Sequence, residues 1–385
     1  MRKLISLKKD ISIIFNSQIT EFLNPDYVYI PIKKNYKSLV KPGEEILKGQ
    51  IILENNLNKV MSPVSGKVIR TCKRVTNDTL ENCIEIANDF KEKLKTYSRK
   101  KELKIEKDVI VSKLYEYYFK YIASILETKK INNLIVNGID DEPYIANNAY
   151  VVNHFVKEIL SLADMLSSAF EIQNTLIAMK SNDTKNIEAY LSKIGTYPNI
   201  SLTLVDDKYL LGKPYFLMEH LNLKELDTLV IDARTFLEMY EALKYNKYPL
   251  ETYITISGPS VKRSQVIKVK IGSLINDIIQ NNIKINGKDN IYILNGLMSG
   301  NECDINKVIV TKNTLGVVII PNVCIKEKEC INCGLCFKIC PVKVNPKKIM
   351  ETRKISNNCL DCGLCSYICP SHINLRKFLK GEFDE

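Results

Sequence analysis

The chain is short of several things, and each shortage removes a class of function. No apolar stretch among its 385 residues approaches the roughly 18 needed to cross a bilayer, so no membrane span is expected. Neither a Walker loop nor a nucleophile elbow is present, which excludes P-loop phosphate chemistry and the serine-hydrolase arrangement. The three histidines, His154, His220 and His372, are scattered without ligand or triad spacing, so no catalysis is assigned to them. Glycine is missing altogether between Gly66 and Gly138. The apolar residues of Met1 to Phe15 are interrupted by Lys8, Lys9 and Asp10, unlike a secretory signal. A cytoplasmic location with reduced cysteines is the expectation.

What is present is ordinary in bulk and unusual in detail. Hydrophobic content of 45% and charge of 26% suit a globular chain long enough for two or three cores. The net charge of +11 is spread along the sequence, and its densest run, Lys91 to Lys107, alternates with glutamates like a solvated linker. No nucleic-acid partner is expected; an acidic redox protein or an anionic membrane surface suits the charge better.

The detail is in the cysteines. Cys330-x2-Cys333-x2-Cys336-x3-Cys340-Pro341 is repeated as Cys359-x2-Cys362-x2-Cys365-x3-Cys369-Pro370. This is the bacterial run for [4Fe–4S] clusters, in which the fourth cysteine of each block ligates the other block's cluster. The expected ligand sets are Cys330, Cys333, Cys336 and Cys369 for one cluster, and Cys359, Cys362, Cys365 and Cys340 for the second. Structural zinc would use two separated C-x2-C pairs, and disulfides would need an oxidising compartment. Cys72, Cys83, Cys303 and Cys324 read as small buried hydrophobes, with Cys324 near enough to the first block to be an extra ligand. His372, after the second Cys-Pro, is a candidate donor to a cluster sulfur.

Taken in order, residues 1–26 are helix-prone. Residues 27–90 alternate short apolar runs with turn glycines and resemble the barrel-sandwich hybrid of biotinyl and lipoyl domains. Lys59 lies too close to Pro63 for the usual modified lysine, so the module reads as structural, with a modified Lys59 as the alternative. Residues 105–248 read as a parallel α/β domain. It comprises one amphipathic helix over 107–127, a buried strand 134–137, a polar loop 139–144 and a helix over 152–170. Strands 175–179, 200–205 and 228–231 then alternate with helices 184–193, 214–221 and 234–243. Residues 250–322 read as a β-grasp-like (SLBB) module with a helix over 273–281, to whose sheet Val308–Thr311 and Val317–Ile320 return. Residues 325–380 form the two-cluster, ferredoxin-like α-helical domain. The fold class is thus a multidomain α/β chain: barrel-sandwich hybrid, central parallel α/β domain, β-grasp-like module and cluster domain.

This order of modules resembles the C subunit of the Rnf-type electron transport complex, a relative of the flavin-carrying subunit of respiratory complex I. The resemblance covers roughly 27–375. Its carriers are Pro42-Gly43-Glu-Glu-Ile-Leu-Lys-Gly49-Gln50, Ser65-Gly66, Asn137-Gly138-Ile-Asp140-Asp-Glu142-Pro143-Tyr144, Lys208-Tyr209-Leu-Leu-Gly212, Gly296-Leu-Met298-Ser-Gly300 and the cysteine blocks. It implies FMN and NADH held by a glycine-rich loop ahead of the Asn-Gly strand, and places Asn137, Asp140, Glu142 and Tyr144 at that site. The chain departs from the family there. The matching stretch, Val109 to Leu126, has no glycine and carries Tyr115, Tyr117, Tyr118, Phe119 and Tyr121, whose bulk is expected to occupy the phosphate cradle. The family's first acidic residue is shortened to Asp140, and its N-terminal Gly-Gly-x-His-Pro segment is missing. The scaffold and both clusters carry over; FMN and NADH are not expected.

The leading expectation is an iron–sulfur electron-transfer subunit relaying electrons between redox proteins. Its partners would be a ferredoxin-like donor or acceptor and membrane-bound Rnf-type subunits, met at the cytoplasmic face. Two alternatives stand beside it: a flavin-dependent NADH:ferredoxin-type oxidoreductase subunit with a rearranged FMN site, and a non-redox adaptor braced by structural clusters.

Overall fold

A computed structural model describes residues 4–7, 19–56, 58–77, 79–94, 106–323 and 325–382, apart from the side chains of residues 185 and 186. Cys324 and residues 8–18 of the helix-prone stretch lie outside the described residues.

The alternating residues after Tyr27 fold as two facing sheets. Tyr27–Pro31 pairs antiparallel with Thr79–Asn88, which pairs with Gly66–Thr76, itself edged by Glu45–Ile46. Lys37–Ser38, Ile51–Glu54 and Lys59–Met61 form the other sheet. Inward residues, among them Val28, Ile30, Ile52, Leu53, Val68 and Ile86, fill the space between. Lys59 opens its strand just past a turn in which the Asn58 N–H donates to Asn55 Oδ1 at 2.6 Å.

The central domain is a four-stranded parallel sheet in the order Ile200–Val205, Asn174–Lys180, Asn133–Asn137, Thr228–Asp232. Chain order reverses beside Asn133–Asn137, and such switch points leave a crevice beyond the carboxyl ends of the strands. The strands read as continuous apolar runs because helices cover both faces.

Two long helices expected here are each broken. The stretch 107–127 is Lys107–Glu116 and Lys120–Thr128. Between them Tyr118 takes φ +67°, and the Phe119 N–H closes the first helix on Leu114 O at 2.8 Å. Buried Tyr117 packs on Tyr248 with ring centroids 4.6 Å apart, which turns the chain at that point. Ile110, Leu114, Ile122 and Leu126 still face one core, so the apolar period runs through the break, while Tyr121 is 79% exposed. The helix expected over 152–170 starts earlier, as Asn147–His154 followed by Val156–Phe170. Asp140 accepts from the N–H groups of Asn148 and Ala149 at 3.1 and 2.9 Å and so fixes the start of the first.

A six-stranded mixed sheet follows, ordered Thr20–Phe22, Gln265–Lys270, Glu251–Ser257, Gly316–Pro321, Asn290–Leu294, Asn301–Glu302, with helix Ile275–Asn282 against it. Thr20–Phe22, in the stretch expected to be helix-prone, is therefore a strand, paired parallel with Ile267–Val269. Nor does Val308–Thr311 rejoin this sheet. Val308 makes an isolated bridge to Val75 of the sandwich, tying the module to it, while Ile309 bridges Leu274 within the module. A buried ionic seam reinforces that junction: Lys270, 1% exposed, reaches Glu251 at 2.8 Å and Glu92 at 3.1 Å, and Glu92 holds Lys48 at 2.8 Å. Burial pushes the Glu251 carboxyl up, but Lys270, Lys247 and Lys268 hold it well below the usual carboxylate range. The chain closes with short helices Leu335–Ile339, Pro346–Thr352, Leu364–Tyr367 and Leu375–Leu379 around a small apolar core.

Candidate functional site

Each cysteine block runs as a loop into a short helix, with a left-handed glycine at the helix start: Gly334 (φ +71°) and Gly363 (φ +72°). The environments differ. Cys330 and Cys333 are exposed and Cys336 is half-buried; Cys359 and Cys362 are half-buried and Cys365 is buried. A Cβ on Gly334 would meet nothing, whereas one on Gly363 would collide with Met298 O.

Cys340, the last cysteine of the first block, lines one narrow pocket with Cys359, Cys362 and Cys365 of the second. Val342, Val344 and Leu379 make the pocket apolar. Backbone N–H groups already point at sulfur there, Val344 to Cys340 Sγ at 3.3 Å and Asp361 to Cys359 Sγ at 3.4 Å. Cys369 packs in the same small core as Cys336. Among the described residues no three His, Cys, Asp or Glu side chains close round a single ion; a cubane spreads its thiolates farther apart than one ion does. Burial pushes the Cys365 thiol up to about 12 and Cys362 to about 11. Soft ligands whose ionised form is penalised by burial fit a group that supplies compensating positive charge, as iron would.

The second block is fastened to the rest of the molecule by residues that spacing did not reveal. Arg376 grips Asp361 through Nε and Nη2 at 2.5 and 2.8 Å. It also donates to the carbonyls of Ser299 and Gly300 and to Asn301 Oδ1. Tyr209 donates its hydroxyl to Cys362 O at 2.7 Å and lies 3.2 Å from Glu142 Oε1. The Met298 and Ser299 N–H groups donate to Glu142 at 2.9 and 3.0 Å. Gly296 passes so close that a Cβ there would collide with Glu142 Oε2. Glu142 thus joins the α/β domain to the six-stranded module and, through Tyr209, to the cluster domain. Sequence offered one faint signal, the Asp361 of the second block where the first has Asn332.

At the strand ends lies a cleft of about 480 Å³ bordered by Tyr118 to Ile122, Asn137, Lys213 and Asp232. Of the aromatics expected to occupy it, Tyr118, Phe119 and Tyr121 do line it, while Tyr117 turns into the core and the Tyr115 hydroxyl bonds Glu127 at 2.7 Å, and the space left between them is not filled. Of the four carried-over positions only Asn137 lines the cleft, and it donates to Gly212 O at 2.7 Å while accepting from the Ile139 N–H at 3.1 Å. Asp140 caps a helix, Glu142 ties the modules, and the Tyr144 carbonyl accepts from Ser257. Burial raises Asp140 and takes Asp141 up to about 6, although the Gly212 N–H bonds Asp141 at 2.8 Å. Asp140, Glu142 and Tyr144 lie off the cleft, so the four side chains do not line one cavity together.

Elsewhere, Cys83 is buried and faces half-buried Cys72 across a strand pair, and Cys303 is half-buried. The His372 ring is exposed, its backbone N–H bonding Cys369 O.

Residues 5–91 match the family model of the RnfC barrel sandwich hybrid domain, and residues 116–235 that of the Nuo51 FMN-binding domain. The C subunit of the ion-translocating oxidoreductase complex of Buchnera aphidicola is 25% identical over 84% of this chain and 75% of its own length. The C subunit of the Na(+)-translocating ferredoxin:NAD(+) oxidoreductase complex of Acetobacterium woodii is 24% identical over 85% of this chain and 81% of its own. In fold, 72% of the chain superposes on an NAD+-reducing [NiFe]-hydrogenase at TM-score 0.52 and 11% identity, spanning 63% of that structure's chain. The protein is RnfC-like, its central domain related to the flavin subunit of complex I.

Proposed function

We propose that this chain is an iron–sulfur electron-transfer subunit, peripheral to a membrane-bound Rnf-type complex on its cytoplasmic side. One cluster would be held by Cys330, Cys333, Cys336 and Cys369, the other by Cys359, Cys362, Cys365 and Cys340. The divisions 27–90, 105–248, 250–322 (SLBB-like) and 325–380 (ferredoxin-like) are the modules of that reading. One observation carries it: thiols from both blocks, Cys340 with Cys359, Cys362 and Cys365, border one apolar pocket.

Bound [4Fe–4S] clusters supply one-electron transfer at potentials set by hydrogen bonds to sulfur, charge and exposure. The chain's own groups do the rest. The N–H groups of Val344 and Asp361 stabilise negative sulfur, and Arg376 and Tyr209 hold the second block against the body. The first block presents Ile331, 66% exposed, and Phe337, 44% exposed. Residues 325–382 carry eleven lysines and arginines against five acids. An apolar spot ringed by positive charge suits an acidic redox partner, a ferredoxin-like protein included. Among the described residues no helix is long and apolar enough to cross a membrane, so attachment to the complex would run through its membrane subunits.

Anaerobic purification with iron, sulfide and zinc quantification tests this reading. Two cubanes' worth of iron and sulfide is the expected result; stoichiometric zinc without sulfide refutes it. A second reading, a flavin-dependent NADH-linked subunit, is favoured by the match of residues 116–235 and by the open cleft with Lys120 and Lys213 on its border. Flavin absorbance bleached by NADH would establish it.

A further inference from the structure

The apolar segment 4–7 has no part in the reading above. It has no regular secondary structure and runs against the body as a strap, with Ser6 exposed, Leu4 and Ile5 half-buried and Leu7 buried. The Tyr209 N–H donates to Ile5 O at 2.8 Å. The hydroxyl of the same tyrosine donates to Cys362 O at 2.7 Å. Tyr209 thus holds the strap with its backbone and the second cysteine block with its side chain.

Leu4, Ile5 and Leu7 share one apolar cluster with Tyr209, Met298, Ile339, Cys362 and Leu364. Cys362 and Leu364 also line the pocket of the second cysteine block, and Ile339 directly precedes Cys340, the cysteine that crosses into that pocket. The strap therefore backs the wall of the pocket without entering it. The cysteines assigned to the other cluster lie elsewhere. Cys330 and Cys333 face solvent, and Cys336 and Cys369 pack in the small core of the terminal helices.

We propose, on the reading that Cys359, Cys362, Cys365 and Cys340 hold a cluster, that residues 4–7 are its water seal and that Leu7 is the positioning residue that seats them. A four-thiolate cubane gains negative charge on reduction, and dry surroundings penalise the more highly charged form. By keeping water out of the joint behind Cys362 and Leu364, Leu7 holds the second cluster at a lower potential than a wetted wall would. The same apolar shell limits the access of water-borne oxidants to the sulfurs. The seal acts on one cluster only, because the strap touches one wall only.

The test is anaerobic redox titration, followed by electron paramagnetic resonance, of full-length Leu7→Ser and Leu7→Met. Each is made in the Cys369→Ser chain, which keeps the second cluster, and in the Cys340→Ser chain, which keeps the first. Leu7→Ser should raise the potential of the second cluster and speed its bleaching by ferricyanide. Leu7→Met, apolar and of similar volume, should restore both values. The first cluster should respond to neither change. Leu7→Ala, a truncation that buries no hydroxyl, serves if the serine variant does not fold, and should shift the second cluster in the same direction. A second-cluster potential unmoved by Leu7→Ser and Leu7→Ala, or an equal shift in both clusters, would overturn the seal. Iron and sulfide missing from both backgrounds would instead overturn the reading of the cysteine blocks, and the seal with it.

Discussion

The two cysteine blocks share a spacing and almost nothing else. In the first, Cys330 and Cys333 face solvent, Ile331 and Phe337 are exposed, and Gly334 has open space before it. In the second, Cys365 is buried, Gly363 lies against Met298, Asp361 is clamped by Arg376, and Tyr209 holds the Cys362 carbonyl. One ligand pattern has been placed in a wet and a dry setting. Desolvation and N–H···S bonding both move cluster potentials, so clusters held as proposed would differ in potential between the two settings. The outer block can meet a partner, and the inner one faces the α/β domain.

The comparison can be broken at Arg376. Arg376→Met would leave the Ser299 and Gly300 carbonyls without their donor and Asp361 with Lys380 alone at 3.6 Å, a loss of about 1.5–3 kcal/mol. Asn332→Ala, at the matching position of the first block, meets a left-handed backbone (φ +58°) but breaks no such network, and should cost about 1 kcal/mol. Chemical unfolding followed in the far ultraviolet checks both. Equal effects would mean that the blocks are tethered alike.

The glycines sharpen the same contrast. Gly334→Ala meets only the left-handed backbone, worth about 1 kcal/mol. Gly363→Ala meets that and the Met298 carbonyl, and should cost about 3 kcal/mol. Melting temperatures of the two variants should separate accordingly.

Tyr209→Phe removes the hydroxyl that donates to Cys362 O beside Glu142, a loss of about 1–3 kcal/mol. Redox titration should show one cluster potential moving and the other fixed. A smaller effect is expected with pH near this joint. Burial raises Asp141 from 3.8 to about 6 in the folded chain, so the folded state holds that proton more tightly than the unfolded one. Its contribution therefore falls as pH rises from about 4 to about 6, and Asp141→Asn should flatten that part of the stability–pH curve.

Much of this is legible in sequence because it is local. Cysteine spacing fixes how three thiols cluster, and alternation of period two marks the sandwich strands, whatever lies far away. The strand Thr20–Phe22 escapes such a reading because its partner, Gln265–Lys270, is some 245 residues distant. The break at Tyr118 escapes it because both helices bury the same apolar face, leaving the period intact across it. Arg376 looks like one more surface cation of a basic chain, since three of its acceptors, Ser299, Gly300 and Asn301, lie about 75 residues upstream. The aromatic run 115–121 looks like filler for the cleft, yet half of it belongs to the core, a choice made by Tyr248 and not by local sequence.

The central claim is that Cys340 crosses over to join Cys359, Cys362 and Cys365. Its most direct test is electron paramagnetic resonance on anaerobically reduced Cys340→Ser and Cys369→Ser, each with and without Tyr209→Phe. Each single variant should keep one cluster. The cluster surviving Cys369→Ser should respond to Tyr209→Phe, and the one surviving Cys340→Ser should not. The opposite pattern, or iron retained in full by Cys340→Ser, would contradict the account.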